Sequence, residues 1–468
     1  MRHAPIRLVS VLTRALLAAS ALAMPLATAQ AHGHLVRSDP AKGSHARTLP
    51  SQLSLTFSEP PNVSLSHLVL VGPGGKPIAL SPLALDQNDR ATITARIAAP
   101  LPVGQYTVRW QMAGDDGHPV RGEYAFDVDS EAVAPAPDVG ATSVSAGGAS
   151  QAAAHDAATF DASSPIYALL RAIQFSAVIL LLGSLAFRSA VLTRFSRSGP
   201  AFAVTATPMI ARSASVAAWA AWTVLAMTLA RLQAQHAAFF GVSTAWSAES
   251  VGALLWGSSW ATGWWLALAG SVGAVAATRL ARRPNDSGWA WLGVALLPIV
   301  VSLALSGHPA VAPARVSALL VDGVHVLGAG GWVGSLTMVL VAGIPVATAM
   351  PAEQRHATVA ALLNAFSPTA LVFAGLLAFT GLIAGWRNVG SLGALVDTRY
   401  GQVLLAKVAV LSITAATGAY NWKRVLPVLG TESATHGLTR SASVEVATAL
   451  LVIILTAVLV ATRMPGEM

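Results

Sequence analysis

The chain has no cysteine among its 468 residues. Disulfides, thiolate ligands and CxxC exchange are therefore excluded, and any metal must be held by His, Met, Asp, Glu or backbone groups. Charge is also scarce. Asp, Glu, Lys and Arg make up 11% of the residues, 54% are hydrophobic, and the mean hydropathy is +0.60. Such a chain is too apolar for one soluble domain and reads as a membrane protein. No GxxxxGK[ST] loop exists, and Gly72-Pro73-Gly74-Gly75-Lys76 is a turn between strands. The chain thus has no visible means of using ATP by itself. The net charge is +8, but the basic residues sit at Arg2, Arg7, Arg14 and in short clusters between apolar runs. That pattern argues for membrane orientation and against nucleic-acid binding.

The first stretch with chemistry is Ala29-Gln30-Ala31-His32-Gly33-His34-Leu35. A short apolar run precedes it, and Ala29-Gln30-Ala31 has the small-x-small form that signal peptidase cleaves. Residues 1–31 read as a signal peptide, which makes His32 the first mature residue. Its α-amine and ring Nδ1 can then chelate one ion. The amine has a pKa near ~8, so near neutrality the metal competes with one weakly held proton. Imidazole with amine nitrogen suits Cu(II) in a tetragonal site. The competing reading is a coincidental histidine beside a cleavage site.

Residues 32–129 are ordinary in composition and alternate with period two. Gln52–Phe57, His67–Val71, Arg90–Ile97, Tyr106–Gln111 and Tyr124–Val128 are predicted strands, which suggests an all-β Greek-key sandwich, immunoglobulin- or cupredoxin-like. Between the last two sits Asp115-Asp116-Gly117-His118-Pro119. Asp116 and His118 flank a glycine, so both side chains can face one point. With His32 they offer three nitrogens and one oxygen, a square-planar Cu(II) set. Taken alone, the segment also fits an ordinary polar turn.

Residues 130–163 are rich in Ala, Ser, Gly and Pro and read as a flexible linker. Residues 164–463 hold eight apolar runs of spanning length, about 166–192, 212–232, 251–278, 288–306, 316–346, 359–385, 401–425 and 443–462. They predict an all-α polytopic bundle of about eight helices. Arg194, Arg197 and Arg212, then Arg279, Arg282 and Arg283, then Arg355, then Lys423, Arg424 and Arg440 fall in alternate loops. By the positive-inside rule both ends of the bundle face outward, so the sandwich and the C-terminus are expected in the periplasm. Trp256, Trp260 and Trp264 recur at i, i+4, i+8 and read as an interfacial stripe. His236 and His356 read as solvated loop residues.

Ionisable groups in apolar helices cost at least ~2.5–3.5 kcal/mol and so face a partner or a cavity. Asp322 and His325 share a face of the fifth run. Trp332, at i+7 from His325, is expected on that face, among glycines that allow close helix approach. His308 ends the fourth run near Asp322. Lys407 and Asn421 are further candidates, and Arg171 and Gln174 are expected to line the same interior. A packing hydrogen bond between Asp322 and His325 is the alternative to metal or proton handling.

Two family resemblances follow. His32-Gly33-His34-Leu35, Ser38-Asp39-Pro40-Ala41-Lys42-Gly43, Leu55-Thr56-Phe57-Ser58-Glu59-Pro60, and Asp116-Gly117-His118 with Gly122-x-Tyr124-x-Phe126 resemble the periplasmic copper-binding CopC family. The resemblance implies a Cu(II) site of His32, Asp116 and His118. His34, third from the mature terminus, is read separately from its position, as an auxiliary ligand or a mere neighbour. Some relatives carry a Met-rich Cu(I) site; this domain has only Met112. Gly307-His308-x-Ala310, Asp322-x-x-His325, Trp332-x-Gly334, Tyr400-Gly401-x-x-Leu404-Leu405-x-Lys407 and Asn421 resemble the inner-membrane CopD family. There Pro309 interrupts the family's Gly-His-Ala pattern. The chain thus resembles a CopC–CopD fusion.

That resemblance implies copper capture in the periplasm and import across the inner membrane, in copper homeostasis or resistance. His308, Asp322 and His325 would carry Cu(I) or Cu(II), with Trp332, Lys407 and Asn421 in support. Expected partners are copper ions, the bilayer, a periplasmic copper donor and a cytoplasmic acceptor, and no nucleic acid. The rival is an exported copper store or sensor with a membrane anchor. An oxidative copper enzyme is disfavoured, because Asp116 would fill an equatorial position that such chemistry wants open.

Overall fold

The computed structural model describes residues 34–114, 117, 119–133, 164–283, 286–306, 314–420, 447–448, 450–460 and 462. The described residues of the N-terminal part hold nine strands: β1 (Leu35–Asp39), β2 (His45–Thr48), β3 (Gln52–Phe57), β4 (His67–Val71), β5 (Pro77–Ile78), β6 (Ala84–Leu85), β7 (Thr92–Arg96), β8 (Gly104–Ala113) and β9 (Pro119–Val133). They form two sheets, ordered β1-β3-β7-β6 and β2-β9-β8-β4-β5. All pairs are antiparallel except β2 with β9. This is the expected sandwich.

Period-two patterning sets its core. Leu53, Leu55 and Phe57 on β3 are buried while Ser54 and Thr56 between them are not. They meet Tyr106, Val108, Trp110 and Met112 of β8 and Tyr124, Phe126 and Val128 of β9. The β8–β9 hairpin is the longest element, paired from Gly104↔Val128 to Ala113↔Pro119. Its turn therefore projects from one end of the sandwich.

The helical part comprises α1 (Pro165–Arg197), α2 (Pro200–Phe240), α3 (Ala248–Leu255), α4 (Ser259–Leu280), α5 (Ser287–Leu305), α6 (Arg315–Thr348), α7 (Ala352–Val389), α8 (Arg399–Tyr420) and a short α9 (Leu450–Val460). Seven of these, all but α3 and α9, are long and apolar enough to cross a membrane. Trp219, Trp291 and Leu382 are 76%, 59% and 75% exposed, as side chains facing lipid would be.

Three expectations are corrected. The tryptophan stripe does not exist, because α3 stops at Leu255, Gly257 takes φ 82°, and Ser258 caps a new helix through the Ala261 N–H. Trp256 is exposed, while Trp260 and Trp264 are 2% and 7% exposed inside the bundle. Arg212 lies within α2, which begins at Pro200, and not in a loop; Arg194, Arg197, Arg279 and Arg355 are also helical, each near a helix end. His236 is also in α2, 1% exposed, with Nε2 3.2 Å from Ser250 Oγ and its ring stacked on Trp246. His356 is likewise helical, in α7, and half-buried.

Two backbone features fix the bundle. At Gly183 of α1 and Gly334 of α6 the helices touch so closely that a Cβ at either would overlap the other's backbone. Beside this contact α6 widens into π-helical turns at Gly330–Gly334 and Val339–Gly343.

Candidate functional site

At the end of the sandwich where the hairpin turns, His34 is exposed. Its N–H donates to Ser58 Oγ at 3.0 Å, and its carbonyl accepts from the Ser58 N–H at 3.0 Å. A Cβ on Gly114, the first turn residue, would meet the Glu59 carboxylate next along that segment. The chain entering β1 and the hairpin turn therefore emerge side by side. His32, Asp116 and His118 lie outside the described residues. Met112 is 0% exposed and packs in the core. Among the described residues no three His, Asp or Glu side chains gather as a metal-holding group.

The turn is seated on the bundle. Gln235 of α2 donates from Nε2 to the Gly117 carbonyl at 2.5 Å. Gly117 has φ 74°, and a Cβ there would come within 2.7 Å of Trp260. Beside it, Arg121 donates to the Ala238 carbonyl at 2.5 Å and to Gln111 Oε1 at 2.8 Å, and Gln111 reaches the Phe239 carbonyl at 3.4 Å. These carbonyls close α2 and have no intrahelical donor, so the sandwich satisfies one with the cation of Arg121, where the helix end is negative, and the other with the Gln111 amide. Leu65, Ala113, Phe239 and Leu254 pack together across the same seam.

Below the seat runs a ladder of buried polar side chains. Tyr167 donates to Gln235 Oε1 at 3.2 Å, and the Arg171 guanidinium lies 4.9 Å over the Tyr167 ring. Arg171 reaches the Ser306 carbonyl at 3.5 Å, and Arg231 donates to Gln174 Oε1 at 3.1 Å. Tyr167, Arg171, Gln174, Arg231 and Gln235 are all 6% exposed or less.

The ladder opens on a cavity of about 240 Å³ whose lining includes Arg171, Arg231, Asp322, His325 and Lys407. Three of the expected membrane residues thus meet there, together with Arg171. Gln174 stands behind Arg231. His325 Nδ1 is 3.0 Å from Thr380 Oγ1 of α7. Asp322 and Lys407 are opposite charges lining the same cavity. Among the described residues no hydrogen bond joins Asp322 to His325, and His325 pairs with Thr380 instead. His308 and Asn421 lie outside the described residues; Ser306, just before His308, lines the cavity.

Trp332 is corrected. It is 8% exposed but does not line the cavity, whereas Val333 does. The π-turn at Gly330–Gly334 inserts a residue, so the face through Asp322, His325 and Ala329 continues at Val333. Tyr167, Arg231, Gln235, Gln111 and Arg121 were not expected. Arg231 and Gln235 are four apart on one face of α2, a signal readable only if that helix is taken past its apolar run to Gly241.

The comparisons with known proteins agree with this two-part build. Residues 35–129 match the CopC domain family, and residues 360–459 match Copper resistance protein D, CopD. The chain is 24% identical over 445 residues to the copper transport protein CutJ of Bacillus subtilis, spanning 94% of this chain and 76% of that protein. It is 36% identical over 107 residues to Copper resistance protein C of Pseudomonas syringae pv. tomato, spanning 22% of this chain and 84% of that protein. The solved structure of PcoC, a methionine-rich copper resistance protein from Escherichia coli, aligns with 32% identity over 21% of this chain and 100% of its own, with a TM-score of 0.20. The sandwich seated on the bundle is thus a CopC domain, a C-terminal stretch of the same chain matches CopD, and through its sandwich the chain belongs to the CopC family.

Proposed function

We propose that the sandwich captures Cu(II) in the periplasm and delivers copper to the bundle for import across the inner membrane. Cleavage after Ala31 would expose His32, whose amine and ring would bind with Asp116 and His118, and His34 would stand by as an auxiliary. Residues 32–129 form the capturing domain, 130–163 the linker and 164–463 the membrane domain. His308, Asp322 and His325 form the membrane route for Cu(I) or Cu(II), with Lys407 and Asn421 in support. A periplasmic donor and a cytoplasmic acceptor complete the path, and no covalent chemistry is assigned to the chain.

The observation that carries this reading is the seat. The turn that contains Gly117 rests on Gln235, and Gln235 heads the ladder into the cavity lined by Asp322 and His325. Copper released at the turn would enter the bundle without crossing bulk water. Orientation is supported by the far ends of α1 and α4, which carry Arg188, Arg194, Arg197 and Arg279.

Copper accumulation in vesicles holding the full chain, with the sandwich outside, tests the reading. His325→Ala is expected to lower the initial rate about tenfold or more, as loss of a group touching the cargo does. Uptake equal to wild type removes that residue from the route. A cellular copper phenotype fully reproduced by the sandwich alone would favour a store or sensor.

A further inference from the structure

The charge of the cavity does not suit a cation alone. Four basic side chains line it, Arg171, Arg231, Arg387 and Lys407, against one carboxylate, Asp322. Its other walls are largely aliphatic, including Val178, Val321 and Leu377. Arg171 and Arg231 are 2% and 6% exposed. A guanidinium stays charged in proteins, and burying it is costly unless opposite charge or acceptors compensate. Arg231 spends Nη1 on Gln174 Oε1, but its Nε is buried with no acceptor among the described residues. The Gln174 Nε2 is in the same position. The unmet groups of this Arg231–Gln174 pair are donors, and the excess charge of the cavity lining is positive.

We propose that the head of the cavity is an anion site, in which Arg231 and Arg171 clasp a small acceptor-only monoanion, a carboxylate or a halide. The guanidinium fork matches a carboxylate edge and also serves a halide, and low local dielectric strengthens either contact. Gln174 acts as a positioning residue that fixes the Arg231 fork. About 240 Å³ is ample for acetate or chloride. The site stands on the charge and burial of these side chains, independently of copper transport. With the anion bound, the approach to Asp322 and His325 would be less positive.

The test uses the purified full chain in lipid nanodiscs, unfolded by heat and followed by tryptophan fluorescence. Chloride or acetate replaces bulky isethionate at constant ionic strength. Binding to the folded state predicts a saturable rise in apparent Tm of about 2–4 °C. A response to chloride alone assigns a halide, and a response to acetate, with or without chloride, assigns a carboxylate-accepting site. Arg231→Gln should abolish the response, and the milder Gln174→Leu should raise the half-saturating concentration about tenfold. If Arg231→Gln does not fold, equilibrium binding of radiolabelled chloride and acetate to wild type and Gln174→Leu decides. Neither a Tm response nor binding in wild type overturns the site, as does an unaltered response in a folded Arg231→Gln protein.

Discussion

Gly117 is held from two sides. Its φ of 74° suits glycine, and Trp260 occupies the space a Cβ would need. Gly117→Ala should therefore cost about 1–3 kcal/mol from backbone strain and overpacking together. Its expected readout is faster hydrogen exchange at Ala237–Phe240 as the seat loosens. On the copper side, His32→Ala keeps the terminal amine and removes the ring, so Cu(II) affinity should fall by about 100-fold or more. Competition titration against a chelator on the mature chain measures it. Tyr124 supplies a pH test away from copper. Burial pushes its phenol up to about 12, so the folded sandwich favours the neutral form. Its contribution is intact below the ordinary tyrosine range near ~10 and is lost as pH rises through about 12. Alkaline melting should thus be shallower in Tyr124→Phe. At this scale the sequence was informative where chemistry is rare: Asp322, His325 and Lys407 are ionisable groups in apolar runs, and they meet in one cavity. His236 was misread because polarity was taken to mean solvent, although Trp246 and Ser250 enclose it.

Among the elements, β3 was readable because strict alternation has one burial solution, Leu53, Leu55 and Phe57 inward. β5 and β6, of two residues each, carry no period to read. Helix phase was the other failure. A uniform period of 3.6 put Trp332 on the His325 face, and the π-turn moved it off. The same turn lies at the tightest helix contact, between Gly183 and Gly334. Gly183→Leu should force α1 and α6 apart and cost several kcal/mol, roughly the upper range for overpacking. The expected outcome is a large fall in thermal stability, whereas Gly375→Ala, where a Cβ meets nothing within 4 Å, should be nearly neutral.

For the whole molecule, the sequence suggested a sandwich on a tether, and the structure shows it resting on α2. That contact was not legible, because Gln111 and Arg121 look like surface residues until the open carbonyls of Ala238 and Phe239 stand opposite them. Arg121→Ala removes a charge-assisted hydrogen bond of about 1.5–3 kcal/mol. It should raise amide exchange in the last turn of α2 roughly tenfold or more while leaving Cu(II) binding by the sandwich intact. If copper uptake falls while Cu(II) binding holds, the seat serves transfer and not capture.

The polar cavity has a further consequence. Asp322 and His325 lie only ~10–15 Å along α6 from Arg315, and Lys407 a similar distance along α8. Beyond them the two glycine backbones touch, and Phe187, Met209, Met338 and Leu362 fill the interior. The cavity is thus a cul-de-sac, a vestibule closed by apolar side chains. Under the proposed import, onward travel would require a second shape of the protein in which that apolar plug parts, and the wide turns of α6 beside it are where the backbone would give.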